Sequence, residues 1–453
     1  MQQRKLNIFV TKFSIFFLSS SHNFKLDKAG AAAYNSPTGP GWAAHFIQKL
    51  RQILMIAFFL SPIYLLVCWY LLRWILRWMK ACHGVFHKKK VQIGLLIGYA
   101  FVALSLLTSF LLPVSPLQRV LKCISNVWLG VLVYLIMTVG IAGFLRLVLK
   151  RTNFARKEHL FNQKHFILTG WLCLVIVVSL SVSGVVGARN LQTTDYQVTV
   201  HKAVVGRESL RVVLVADLHL GYSIGQWHMN NMVEKINALN PDLVVIAGDI
   251  FDNEYDALDD PAKLAATLRT IQSTYGVYAC YGNHDIQEKI LAGFTFHQDE
   301  AKASDPRMDV FLADANIHLL QDEGVLIDDS FYLYGRADYE RPGRGIQQRQ
   351  SPAELTQDMD QSKPILVLDH EPRELQELAD AGVDLDLCGH THDGQMFPGN
   401  LTIHLFWENP CGYLQKGRMH NIVTSGLGVF GPNMRVGTKS EICCIDVRFD
   451  GAE

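Results

Sequence analysis

The chain has 453 residues, too many for one ordinary globular domain and enough for two or three units. Its 42 basic and 42 acidic side chains cancel, so bulk electrostatics gives no case for nucleic-acid binding and no such partner is expected. Hydrophobic residues make up 49% of the chain and mean hydropathy is +0.14, but the apolar runs crowd the first 190 residues. That asymmetry predicts a membrane part followed by a globular part.

Residues 1–45 read as a dispensable leader of unclear status. A poor signal peptide and a half-inserted segment are alternatives, because Arg4 and Lys5 precede an apolar stretch broken by Lys12. Residues 46–190 hold four runs long enough to cross a bilayer, at about 53–72, 91–112, 125–145 and 166–187. Basic residues concentrate in the first loop (Arg73, Arg77, Lys80 and Lys88 to Lys90) and in the third (Lys150, Arg151, Arg156, Lys157 and Lys164). The second loop has only Arg119 and Lys122. By the positive-inside rule the first and third loops are cytoplasmic, which puts the globular part outside the cytoplasm. No Asp or Glu lies within the four runs, which weakens an ion-coupled transport reading.

From about 195 to 453 the composition is that of a soluble domain. After a short linker, an edge strand at 196–200 leads into strands at 211–216, 243–247, 277–281, 331–335, 365–369 and 385–388. Helices are expected near 226–239, 261–273, 353–360 and 373–381, the first from Met229, Met232, Val233, Ile236 and Leu239 at helical spacing. Such alternation predicts an α/β layered domain, whose ligands bind beyond the carboxyl ends of the strands. The cysteines show no Cys-x-x-Cys spacing, so a disulfide framework or zinc ribbon is not expected.

Polar residues fall at those strand ends repeatedly: Asp217-Leu-His219, Gly248-Asp249-Ile-Phe-Asp252, Gly282-Asn283-His284-Asp285, His370, and Gly389-His390-Thr-His392. A single Asp or His in such a place is an ordinary turn residue, but five in succession are not explained by turns. Two divalent cations about 3.5–4 Å apart need an anion between them, and Asp249 is the best candidate for that bridge. Asp217, His219 and His392 complete one ion; Asn283, His370 and His390 complete the other. Nitrogen and oxygen donors without thiolate suit Mn, Fe or Zn. A metal pair of this kind suits a phosphate oxyanion and an activated water.

In their order, these motifs resemble the calcineurin-like metallophosphoesterases over roughly residues 205–448. The phrases 370–372 (His-Glu-Pro), 381–392 and 424–429 resemble the membrane-tethered branch. The resemblance implies an αββα two-sheet sandwich, a dinuclear site and phosphoester hydrolysis. It also implies that His284 binds the phosphoryl group or protonates the leaving oxygen, with Asp285 orienting it. Asp393 stands where the branch often has Gly and is read as a solvated loop residue. Asn253 stands where serine/threonine phosphatases carry Arg, which argues against a phosphoprotein substrate. Arg336 and Asp338 are candidate rim residues, a structural salt bridge being the alternative. Loops 221–225, 252–260, 295–315 and 339–352 are expected to form the rim.

The leading expectation is therefore a membrane-anchored phosphoesterase dependent on two divalent metal ions. A diester substrate is weakly favoured, and an envelope or lipid-linked phosphoester is suggested by the nearby membrane. The alternative is a non-catalytic membrane receptor or transporter whose globular domain binds a phosphorylated ligand. The sequence names no protein partner.

Overall fold

The structure is a computed structural model that describes residues 40–152, 162–286, 290–291, 294–295 and 305–451, with residues 40–60 described as backbone alone. Most of the leader, Arg156, Lys157, and residues 296–304 of the expected rim lie outside the described residues.

The N-terminal part consists of α1 (Pro40–Cys82), α2 (Lys89–Leu111), α3 (Pro116–Arg151) and α4 (Gln163–Arg189). Among the described residues, α2, α3 and α4 are long and apolar enough to cross a membrane, so three such helices stand where four spans were expected. They read as hydrophobic nearly all round because their outward faces carry exposed Ile97, Phe101, Ile141, Phe144, Val178 and Val182. The α2–α3 connection is short, residues 112–115, and the Gln163 side chain at the start of α4 donates to the Ala81 carbonyl at the end of α1 (3.1 Å). One end of the bundle therefore carries Lys80, Lys88 to Lys90, Lys150 and Arg151. Helix α3 begins nine residues before the expected third run. Its first turns are polar because Gln118, Arg119, Lys122, Cys123 and Asn126 turn toward the globular domain rather than outward. Arg119 and Lys122, expected in a loop, are thus helical.

The globular part begins one residue after α4, with no linker. Its elements are β1 (Leu191–Val200), β2 (Ser209–Val215), α5 (Gln226–Ala238), β3 (Leu243–Ala247), α6 (Pro261–Leu268), β4 (Val277–Cys280), α7 (Pro306–Asp314), β5 (Ile317–Leu319), β6 (Glu323–Ile327) and β7 (Phe331–Gly335). There follow α8 (Pro352–Thr356), β8 (Ile365–Leu368), α9 (Leu375–Asp380), β9 (Leu385–Cys388), β10 (Gly412–Lys416), β11 (Met419–Val423) and β12 (Ser440–Phe449).

Two six-stranded sheets form, in the orders β1-β12-β2-β3-β4-β5 and β10-β11-β9-β8-β7-β6. Strands β2 to β5 are mutually parallel, as are β7, β8, β9 and β11, while β12 runs antiparallel to β2. Side-chain alternation explains the layering. On β2, Val212 and Leu214 face Leu333, Leu366, Leu368, Leu385 and Leu387 of the second sheet. Val213 and Val215 face Met229, Met232 and Ile236 of α5, with Leu264 of α6 and Phe311 of α7 in the same core. Helices α8 and α9 cover the outer face of the second sheet through Leu355, Leu375 and Leu378. A strand buried on both faces needs an unbroken apolar run, which is what 212–216 and 243–247 supply. The result is two mixed sheets between helical layers. Described cysteines are all free thiols.

Candidate metal centre

Each site loop leaves the carboxyl end of a strand: β2 runs into Asp217 and His219, β3 into Asp249, β4 into residues 283–285, β8 into His370, and β9 into His390 and His392. The first two loops stay in register for a few residues more. The Asp217 amide donates to the Gly248 carbonyl (3.0 Å) and the His219 amide to that of Asp249 (2.9 Å). Asp217, His219, Asp249, His390 and His392 all have left-handed backbones, with φ between 47° and 73°. That conformation costs a non-glycine residue on the order of 1 kcal/mol, and such strain gathers where side chains must converge.

They converge into two groups. In one, Nε2 of His219 lies 3.0 Å from Nε2 of His392, which is 3.8 Å from a carboxylate oxygen of Asp217. In the other, Nε2 of His370 lies 3.3 Å from Asp249, 3.1 Å from Oδ1 of Asn283 and 3.1 Å from Nδ1 of His390. Nδ1 of His390 is also 3.0 Å from Oδ1 of Asn283. Asp249 joins the groups, since its Oδ2 is 3.7 Å from His219 as well as 3.3 Å from His370. Nδ1 of His370 donates to the Ala247 carbonyl (2.8 Å), which fixes the tautomer that leaves the Nε2 lone pair facing the cluster.

The electrostatics carry an unresolved conflict. Burial, aided by the charge of Asp249, pushes the Asp217 carboxyl up to about 7. Burial opposes ionisation of Asp249 too, but the surrounding imidazoles, His370 foremost, hold it well below the usual carboxylate range. Burial holds His219 down to about 3 and keeps His390 and His392 well below the ordinary histidine value. His219, His390 and His392, held neutral by burial beside two buried carboxylates, form a donor set for a positive ion. Divalent cations fit that set, and three carboxylate–imidazole triads have their donor atoms mutually within 4.8 Å: Asp217, His219 and His392; Asp249, His370 and His390; and His219, Asp252 and His284.

All seven expected ligands thus gather in one place. His284 sits beside them, 8% exposed, its ring centroid 5.2 Å from that of His219. Its backbone amide donates to Asp249 (2.8 Å). Its Nδ1 is held by a short hydrogen bond to the Asn253 amide oxygen, and Asn253 in turn donates to the Ile286 carbonyl (3.0 Å). Asp285, expected to orient His284, instead accepts the Phe251 and Gly282 amides (2.8 Å each), so it pins the backbone of two site loops. Arg336 and Asp338 are not rim residues. Arg336 is fully buried in ion pairs with Asp369 (2.9 Å) and Glu374 (2.7 Å), and Asp338 is fully buried accepting the Glu340 and Arg341 amides.

Sequence reading missed several neighbours. Arg435 is buried with its guanidinium 3.3 Å from Nδ1 of His392, donating to the Gly426 (3.0 Å) and Gly428 (2.7 Å) carbonyls. The Phe430 ring stands 4.7 Å from that of His284. Trp407 packs 5.1 Å from His390, with the Arg373 guanidinium 4.7 Å over its face. None of these belongs to a spaced motif; only Asp252, which closes the Gly-Asp-x-x-Asp phrase, carried a signal.

Two sheets between helices, with Asp, Asn and His donors gathered at the strand ends, define a metallophosphoesterase domain. Residues 210–394 match the family model of the calcineurin-like phosphoesterases. It is 32% identical over 287 residues to a Danio rerio protein called transmembrane protein with metallophosphoesterase domain, covering 60% of this chain and 61% of that one. The Bos taurus protein of the same name is 29% identical, covering 60% of each chain. An uncharacterized metallophosphoesterase of Campylobacter jejuni is 28% identical, covering 53% of this chain and 60% of its own. The chain thus spans about three-fifths of the length of these relatives.

Proposed function

We propose that the protein is a membrane-anchored phosphoesterase that uses two divalent ions, Mn, Fe or Zn, to cleave a phosphodiester, with an envelope or lipid-linked compound as substrate. The observation that carries this reading is Asp249, standing between an Asp217–His219–His392 group and an Asn283–His370–His390 group. When bound there, the ions would supply charge for the phosphoryl oxygens and lower the pKa of water toward neutrality. The chain's own residues do the rest. His284 gives its Nδ1 proton to Asn253, so Nε2 is the nitrogen that meets the phosphoryl group or hands a proton to the departing oxygen. Phe430 and Trp407 add apolar surface beside His284 and His390.

The catalytic domain lies outside the cytoplasm in this reading, with α1 as the fourth span. Support comes from the lysines and arginines gathered at the bundle end opposite the domain. Protease accessibility in intact spheroplasts and right-side-out vesicles tests this; protection of the domain in both would overturn it. Release of nitrophenol from bis-p-nitrophenyl phosphate with Mn²⁺, compared with Asp249→Ala, tests the chemistry. Loss of turnover and of metal loading in the variant is expected, and full activity would refute the dinuclear assignment. The same assay on the monoester separates diesterase from monoesterase.

A further inference from the structure

Residues 397–406 (Phe-Pro-Gly-Asn-Leu-Thr-Ile-His-Leu-Phe) contain no Asp, Glu, Lys or Arg. They form the short helix Gly399–Thr402 and a following turn. Leu401, Leu405 and Phe406 are 63%, 80% and 79% exposed, and Phe397 is exposed with them. A contiguous apolar face of this kind on a soluble domain marks a surface that something covers.

Both ends of the segment are anchored, and the anchors identify the cover. At one end Met396 packs against the cluster of Tyr134 on α3, Val177 on α4, Met434 and Val436. The Phe397 amide donates to the Val436 carbonyl (2.8 Å). Val436 and Met434 seat on α4 where Gly184 leaves no side chain in the way, and the Arg435 amide donates to the Gly184 carbonyl (2.9 Å). On the same helices Ile136, Val182 and Val186 face outward and exposed, so the bilayer-facing surface of α3 and α4 is continuous with the root of the segment. At the other end the next residue, Trp407, lies against His390 and beneath Arg373. An aromatic ring with a cation on its face suits the headgroup level of a membrane. The start of α3 points the same way. Exposed Leu117 and Val120 on α3 flank Arg119, which donates to the Gly221 (3.3 Å) and Ala257 (2.8 Å) carbonyls beside the site.

We propose that residues 397–406 insert into the bilayer interface next to the metal centre, so that the site takes a phosphoester on an amphiphile whose tail stays in the leaflet. The second half rests on the phosphoesterase reading; the insertion does not.

The test uses the full chain reconstituted in phosphatidylcholine–phosphatidylglycerol vesicles, with two readouts. A bimane label on Leu405→Cys, corrected for the labelled parent, should be quenched by nitroxide-bearing lipid and shielded from aqueous iodide. A label reached by iodide, or shielded from both quenchers as a protein partner would shield it, overturns insertion. In the second readout, Leu405→Ser combined with Phe406→Ser should slow hydrolysis of a long-chain alkyl p-nitrophenyl phosphate held in the vesicles at least tenfold. Soluble bis-p-nitrophenyl phosphate should be hydrolysed within twofold of the parent rate. An equal fall on both esters, or no fall on either, overturns the amphiphile assignment. A parent inactive on both esters refutes the phosphoesterase reading and the amphiphile assignment with it, while the bimane readout still decides insertion.

Discussion

Asn253 accepts a hydrogen bond from Nδ1 of His284, and its own amide group is tied to the Ile286 carbonyl, so it can present only its oxygen to the ring. Both residues are buried, and Asn253 itself sits in a left-handed turn (φ 60°). An asparagine in that position therefore fixes both the direction and the tautomer of the imidazole.

If His284 protonates the leaving oxygen, its removal should matter most for esters whose alcohol leaves poorly. His284→Ala should cost about 10²-fold or more on an alkyl ester and much less on a nitrophenyl ester. Asn253→Ala should show the same leaving-group dependence at smaller size. A uniform loss across leaving groups would mean that His284 binds the phosphoryl group rather than giving up a proton.

The position of Asn253 had been legible only as the lack of an arginine. Its role was hidden because the residue acts through a partner 31 positions away. By contrast, the gathering of the seven proposed ligands was legible, since each follows an apolar strand and strand ends in a layered α/β domain converge. Strand β12 escaped for the opposite reason. Glu441, Asp446 and Arg448 break its apolar run, yet it lies inside the first sheet, with Glu441 buried and accepting from Thr194 (2.6 Å), Ser425 and Lys439 (2.8 Å). Arg336 left two readings open, a rim residue or a structural salt bridge, and it is the second: Asp369 and Glu374 pair it in the interior. Exposed charge and internally paired charge look alike in one dimension.

Arg435 offers a test of how the bundle and the site are joined. One residue holds the Gly426, Gly428 and His392 carbonyls, and its own amide is bonded to α4. Burial first, and then the neighbouring His219 and the Arg435 charge, keep the His392 ring neutral, as its proposed role as a ligand requires. Arg435→Met should keep the fold but weaken metal binding about 10- to 100-fold, the usual penalty when a group supporting a ligand is lost. Competition against a chelator measures it, and an unchanged affinity would show that Arg435 is structural only.

Gly248 tests the strain at the ligands. Its φ is +74°, and a Cβ there would run into the His370 ring and lie 2.9 Å from the Gly282 Cα. Gly248→Ala should displace His370 and the Asp249 loop together. The expected result is loss of bound metal, with a fall in melting temperature of a few degrees from the left-handed backbone and the clash. Retention of both metal and melting temperature would show that this turn can relax.

Asp386 gives a pH dependence removed from the ligands. It is fully buried on β9, accepts from Asn421 (2.8 Å) and Cys388 (3.3 Å), and burial, then the nearby Asp369, push it up to about 7. Unfolded, the same carboxyl titrates near its ordinary value, about 3.9. The folded protein therefore holds a proton that the unfolded chain has released between roughly pH 4 and 7. Stability from this group is full below the unfolded value and is lost as pH rises through the folded one. Asp386→Asn removes the titration, so the variant should gain melting temperature relative to the parent at pH 8 and little at pH 5. Thermal unfolding of the detergent-solubilised chain at the two pH values checks it, and equal differences at both would mean that Asp386 stays ionised inside the sheet.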